Sequence, residues 1–200
     1  RKDPMLPSKG LGNTDKECFT TNTQYAFQHT GLNTNDIKEY IHNPHKFNIK
    51  EEMDGKYLNL WSTDNNEAYA YYELVIKSVY DPSPVGYTAP PIRTFTGFNK
   101  TGSNTSSSSD FNVKGAFDKG WYFYTKPNKQ GNIIFFPACG FRRYNAGSLH
   151  AVTTRGFCWI AGPNGWDSSH CLLFYSGYVY PLSSADHSGG FAVRCAAEKM

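Results

Sequence analysis

The sequence predicts an α+β domain that is mainly antiparallel β, with one or two short helices. Three observations carry this. Turn formers are abundant, with 18 Gly and 11 Pro in 200 residues, among many Ser, Thr and Asn. The last third alternates short apolar stretches (GFCWIAG, CLLFYSG, YVYPLSS, GGFAVRCAA) with Gly, Ser, Asp and Asn turns, a pattern of successive short strands. Residues 80–98 hold four Pro and two Gly, which excludes long regular structure there. A chain of this length makes one domain, or one domain with a small annex, and can bury about 70% of its unfolded surface, so its core needs no metal or staple.

The elements follow in order. Residues 1–17 have no periodicity. Residues 18–30 alternate partly and predict a strand. Residues 33–41 predict a short helix: Asn33 or Asn35 caps it, and Ile37, Tyr40 and Ile41 share one face. Asn43-Pro44 stops it. YLNLWS at 57–62 reads as a short strand, 63–67 as a turn, and the β-branched second half of 69–80 as a strand. A helical turn restarts within 92–98. GSNTSSSSD at 102–110 is a Ser-rich flexible loop. GWYFYTKP (120–127) and NIIFFPACGFR (132–142) form hairpin strands. Residues 1–56 then act as a lead-in segment packing on a main domain at 57–200.

Several function classes fall away. The apolar run 133–141 is short and contains Pro137, so no transmembrane helix is expected. No basic-apolar signal segment opens the chain, so any export signal lies upstream or has been removed. A net charge of +3 with scattered Lys and Arg gives no nucleic-acid surface. A G-x-S-x-G elbow, a P-loop and a dinucleotide G-x-G-x-x-G are absent. His150, His170 and His187 with Asp167 and Asp186 match no zinc spacing. No enzyme activity, metal or cofactor is therefore expected.

The five cysteines are Cys18, Cys139, Cys158, Cys171 and Cys195. No C-x-x-C pair occurs, so zinc and redox spacings are missing. Two readings stay open: small buried hydrophobes, or a disulfide between two of the last four. Cys195 is expected to be buried.

Three pieces in order, YDPSPVGYTAPP with FTGF, FFPACGFRRYNAGSL, and GFCWIAGP followed by LLFYSGYVYPLSSADHSGGFAVRCAAE, resemble the fibrobacter-type major paralogous domain of Bacteroidetes fimbrillin-like surface proteins. The likeness spans roughly residues 57–198. It implies a C-type-lectin-like fold with the strand carrying Val193 in the interior. It also implies an exported domain at the cell surface, on the outer membrane or a fimbrial tip. The chain departs from the family pattern in places. Ser83 stands where the family has Cys, which removes any bridge from there to Cys195. Cys158-Trp159-Ile160-Ala161 replaces a Tyr-Trp-Ser-Ser or Tyr-Trp-Ser-Ala run. The family's enzymatic relative, the formylglycine-generating fold, uses paired cysteines with no equivalent here.

Residues 143–190 contain no Lys, Glu, Gln or Met, although the chain holds 27 of them. Randomising the adenines of an Asn codon reaches every residue type in this stretch except Trp159 and Trp166. That is the footprint of a diversity-generating retroelement, which writes onto the C-terminal part of lectin-fold proteins. The competing reading is ordinary depletion of Lys and Glu in an aromatic β core.

Under the first reading, framework residues (Gly156, Trp159, Leu172, Phe174, Gly177, Val179, Pro181 and Phe191 to Cys195) alternate with ligand-facing ones. The ligand-facing set is His150, Thr153, Thr154, Arg155, Cys158, Ile160, Asp167, Ser168, Ser169, His170, Cys171, Leu173, Tyr175, Tyr178, Tyr180, Ser183, Ser184, Asp186 and His187. In LLFYSGYVY, Leu172, Phe174 and Val179 point inward, and Leu173, Tyr175, Tyr178 and Tyr180 outward. Tyrosines among Ser and Gly resemble an antibody paratope; equally, they simply cover the sheet. The expected function is a surface adhesin or receptor-binding module whose partner is a protein or glycan on another cell or phage. The alternatives are a structural fimbrial or lipoprotein subunit and a carbohydrate-binding domain of fixed specificity.

Overall fold

The computed structural model describes residues 28–32, 37–42, 46–48, 59–64, 74–104, 106–144 and 147–198. Antiparallel sheets dominate, and the single described α-helix has six residues. Strands β1 (Gln28–Leu32) and β2 (Lys46–Asn48) pair in parallel, with helix α1 (Ile37–His42) between them in sequence. The predicted helix is therefore present. Its cap candidates Asn33 and Asn35, most of the predicted strand 18–30, Cys18 and the proposed packing of 1–56 lie outside the described residues.

The first two predicted strands of the main domain are not formed in their described parts. Leu60 and Trp61 sit in a turn, and residues 74–80 meet them through one bridge, Ser62 to Lys77. The Thr63 amide donates to the Ile76 carbonyl and the Ser78 amide to the Trp61 carbonyl. The alternation there serves a small cluster, Trp61 and Val75 against Ala89 and Ala161, rather than a ladder.

Residues 80–98 have almost no regular structure, as their prolines require. Buried Asp81 organises the loop by accepting the Ser83 and Ala89 amides at 2.8 and 2.9 Å. Lys77 Nζ donates to the carbonyls of Ser83, Pro84 and Tyr87. β3 (Tyr87–Thr88) pairs with the C-terminal β12 (Ala196–Ala197). A 3-10 turn at Thr96–Phe98 realises the helical restart, and a second lies in the Ser-rich loop at Ser108–Asp110.

Two three-stranded sheets make the body. β4 (Val113–Lys114), β5 (Gly120–Lys126) and β6 (Gln130–Pro137) run in the order β4-β5-β6. The β5–β6 turn needs left-handed backbone at Asn128 and Lys129 (φ 59° and 58°). Fully buried Asn112 clamps it: its Oδ1 accepts the Lys129 amide at 2.8 Å, and its Nδ2 donates to Gly97 O at 2.8 Å and Lys126 O at 2.9 Å. β7 (Phe141–Arg142) and β8 (Leu149–His150) form a short hairpin. β9 (Arg155–Pro163), β10 (Ser168–Tyr175) and β11 (Tyr178–Asp186) form the second sheet, ordered β11-β10-β9.

The main core joins one face of each sheet. Phe98 stacks on Phe123 at 4.0 Å, and Phe174 meets Phe123 edge-on at 5.6 Å. Ile160, Leu172 and Val179 complete it from β9–β11. The opposite face of that second sheet is also covered: Phe157, Trp159 and Cys171 pack against Trp61, Phe141, Leu173, Phe191 and Val193. Trp159 stacks on Phe191 at 4.3 Å.

The C-terminal segment departs from expectation. Val193 and Cys195 are half-buried, and 190–193 makes single bridges rather than a strand. The outer edge of β9 is shared by three segments, whose partners are Arg155 with Gly140, Trp159 with Ala192 and Ala161 with Pro90. No one strand can then run along it. The four described cysteines are all free. Among the described residues no helix is long and apolar enough to cross a membrane.

Candidate functional site

The two-residue turn Ser176-Gly177 closes the β10–β11 hairpin and pairs Tyr175 with Tyr178. Alternation then carries Tyr180 to the same side as its neighbours, while Phe174 and Val179 enter the core with no exposed surface. Tyr178 and Tyr180 stack at 5.0 Å with an interplanar angle of 2°, and Tyr175 lies 5.1 and 6.4 Å from them. All three are half-exposed and belong to neither large core. The Arg155 guanidinium stands 5.5 Å over the Tyr175 ring. The Trp121 Nε1–H donates to the Tyr175 carbonyl at 3.1 Å, tying the hairpin to the other sheet. Loss of hydration, hydrogen bonding to Tyr175 and the neighbouring Tyr175 and Tyr178 hydroxyls raise the Tyr180 pKa. The Tyr180 hydroxyl is therefore a neutral donor and acceptor at physiological pH.

The other sequence candidates divide into groups. Thr153 and Thr154 are exposed in the turn before Arg155 and join the tyrosine end. Asp167, Ser168, Ser169, Ser184, Asp186 and His187 lie at the far end of the sheet. Ser168 and Tyr175 are seven residues apart along β10, roughly 23 Å. His150 packs beside Phe141 at 6.0 Å. Ser183 is half-buried opposite Cys171.

Four candidates are corrected outright. Cys158, Ile160, His170 and Cys171 are buried and reach no surface ligand. Leu173 packs in the second core. The reason is two-sided burial of β9 and β10. A strand covered on both faces has no outward register, and its sequence is a continuous apolar run. Phe157–Ala161 is such a run, and it was the available signal. The same burial accounts for part of the missing Lys and Glu, which are almost never fully buried. Burial pushes the Cys158 and Cys171 thiols up to about 12. It also lowers the His170 and His187 pKa values, against a hydrogen bond to the Ser183 backbone for His170 and against the Ser168 backbone, Asp167 and Asp186 for His187. Among the described residues no group of three His, Cys, Asp or Glu could hold a metal ion.

One feature lies outside the sequence candidates except at Asp186. A cleft of about 400 Å³ opens between the β7–β8 turn and the turn after β11, lined by Phe141, Arg142, Arg143, Tyr144, Phe157, Ala185, Asp186, Gly189 and Phe191. Its signal in the sequence is Phe-Arg-Arg-Tyr, two cations between aromatic residues. No family model, curated protein or solved structure matches the chain.

Proposed function

We propose that the chain is the ligand-binding module of a cell-surface adhesin, with a C-type-lectin-like domain whose recognition face is the tyrosine end of the β10–β11 hairpin. The observation that carries this is the cluster of Tyr175, Tyr178 and Tyr180 beside Arg155, outside both large cores. Tyrosine supplies broad contact area at low entropic cost, with a polar tip. Arg155 adds a charge, and Thr153 and Thr154 add hydroxyls at the same end. The two-residue turn and the Trp121 bond hold this face on a rigid sheet, which lowers the ordering cost of binding. The family resemblance of the closing segment and the restricted alphabet of 143–190 support an exported, sequence-diversified face.

The test is the double substitution Tyr178→Ser with Tyr180→Ser, read by thermal melting and by binding to glycan arrays and intact cells. The variant is expected to melt within about 1 kcal/mol of the parent and to lose capture. Destabilisation as large as that of Trp159→Ala, about 3–5 kcal/mol, would make the tyrosines core and overturn the reading.

A second reading has its own observation. Leu74, Ile76, Val79, Val85 and Tyr87 are exposed, the valines by more than 90%. Leu74 and Ile76 line a cleft of about 570 Å³ beside Ala196 and Ala197. An apolar surface of this kind suits packing onto a neighbouring fimbrial subunit.

A further inference from the structure

The cleft beside β7 and the turn after β11 is bordered by backbone held in hydrogen bonds. The Arg142 backbone is held on both sides, since it pairs with Leu149 and exchanges two 2.9 Å hydrogen bonds with Gly190. Its Nη1 donates to the Gly147 carbonyl at 2.8 Å. Asp186 is fixed at the end of β11 by pairing with Ser168, and its carbonyl accepts the Gly189 amide at 2.9 Å. The volume of about 400 Å³ falls within the range of small-molecule sites.

The lining has a distinct chemistry. Phe141, Phe157 and Phe191 pack with ring centroids 4.5 to 5.9 Å apart and give an apolar wall. Arg143 is exposed at the mouth, and Tyr144 and Asp186 are half-exposed. Among the described residues the Arg143 guanidinium makes no hydrogen bond or ion pair. One wall thus offers aromatic surface, and the rim offers a bidentate cation unpaired among the described residues, a carboxylate and a phenol. A guanidinium seeks a planar oxyanion. A carboxylate accepts hydroxyl protons and repels a dianion. A ligand satisfying both has one carboxylate, several hydroxyl groups and a ring with an apolar face. A phosphate has no ring to lie on the aromatic wall, and as a dianion it carries too much charge beside Asp186; a neutral hexose leaves Arg143 unmatched.

We infer that this cleft is a binding site for a hexuronic acid residue of an acidic glycan. The carboxylate pairs with Arg143, hydroxyl groups donate to Asp186, and the C–H face of the ring lies on Phe141 and Phe191. The site is separate from the tyrosine face and does not depend on it.

The experiment is amide chemical-shift titration of the full chain with galacturonate, galactose and inorganic phosphate. It is repeated on Arg143→Gln and on Tyr178→Ser with Tyr180→Ser. Galacturonate is expected to shift amides around Phe141, Arg143 and Phe191. Galactose and phosphate should bind at least ten-fold more weakly. Arg143→Gln removes one charge-assisted pair from an exposed position, so it should weaken galacturonate about ten-fold with an unchanged melting temperature. The tyrosine double variant should bind galacturonate like the parent. Equal binding of phosphate or galactose, full affinity in Arg143→Gln, shifts confined to Tyr175, Tyr178 and Tyr180, or no shift at any attainable galacturonate concentration would each overturn the assignment. Absence of galacturonate binding by the parent chain, with intact capture at the tyrosine face, would sink this site and leave the adhesin reading standing.

Discussion

Replacing Gly156 with alanine puts a methyl group where Phe174 already lies. The two residues are direct cross-strand neighbours on β9 and β10. A Cβ at position 156 would stand 2.0 Å from Cζ of Phe174, and 2.4 and 2.6 Å from its Cε atoms. Carbon atoms in contact sit about 3.5–4.0 Å apart, so the ring must retreat by about 1.5 Å. It has little room to retreat: Phe174 has no exposed surface, and Phe123 and Phe136 stand edge-on at 5.6 and 6.4 Å. Overpacking costs about 1–3 kcal/mol, and full expulsion of the ring approaches the 3–5 kcal/mol of a deleted core phenylalanine. Gly156→Ala should therefore cost about 2–4 kcal/mol. At about 2–4 °C per kcal/mol for a chain of this size, the melting temperature falls by roughly 5–15 °C. The assay is calorimetric melting together with urea unfolding, with the midpoint lowered and the slope unchanged. The cause is a clash with one ring, so shortening that ring should relieve it. In a Phe174→Leu background the added methyl should cost less than about 0.5 kcal/mol. A melt within 1–2 °C of the parent, or simple additivity with Phe174→Leu, refutes the steric argument.

Three other outcomes are expected. Asn112→Leu should cost about 3–5 kcal/mol in urea unfolding, since the Lys129 amide and the Gly97 and Lys126 carbonyls lose their partner together; a loss below 1 kcal/mol contradicts the clamp. The buried Ser83 hydroxyl has no hydrogen-bond partner among the described residues, so Ser83→Ala should leave stability equal or raise it by up to about 1 kcal/mol, and a clear loss would reveal a hidden partner. Burial raises the Cys158 and Cys171 thiols to about 12, so the unfolded chain releases these protons first. Stability should hold below about pH 8.5 and then fall by up to about 1.4 kcal/mol per pH unit per thiol as pH rises toward 12. Cys171→Ala should flatten that decline in denaturant titrations at pH 8 to 11.

The sequence was most legible where one rule acted alone. The β5–β6 and β10–β11 hairpins follow from period-two alternation and tight turns, and Leu172, Phe174 and Val179 point inward as alternation requires. It was least legible where a strand is covered twice. On β9 the alternation rule assigns Cys158 and Ile160 to the outside, yet both lie in the main core, because Phe141, Phe191 and Trp61 cover the other face. Among the described residues at 59–62 and 74–80, Trp61 and Val75 pack against Ala89 and Ala161, and no ladder forms. The tyrosine end was readable because a hairpin turn limits how its side chains point. The Arg143 cleft was not, because it joins the β7–β8 turn to a segment more than forty residues later in the chain.

The loop 99–104 bears on how copies of this chain behave toward one another. β11 is the last strand of its sheet, and a bare edge is a template for fibre growth. Asn104 reaches it with both ends of its amide. Nδ2 donates to the Leu182 carbonyl and Oδ1 accepts the Leu182 amide, each at 3.4 Å. One side chain thus acts as a single-residue strand, and Pro181 beside it has no N–H to offer a newcomer. Under the proposed adhesin reading, copies displayed on a surface would meet one another constantly. With this stopper the hairpin can present its aromatic rings outward at high local concentration without stitching neighbouring copies into a continuous ribbon.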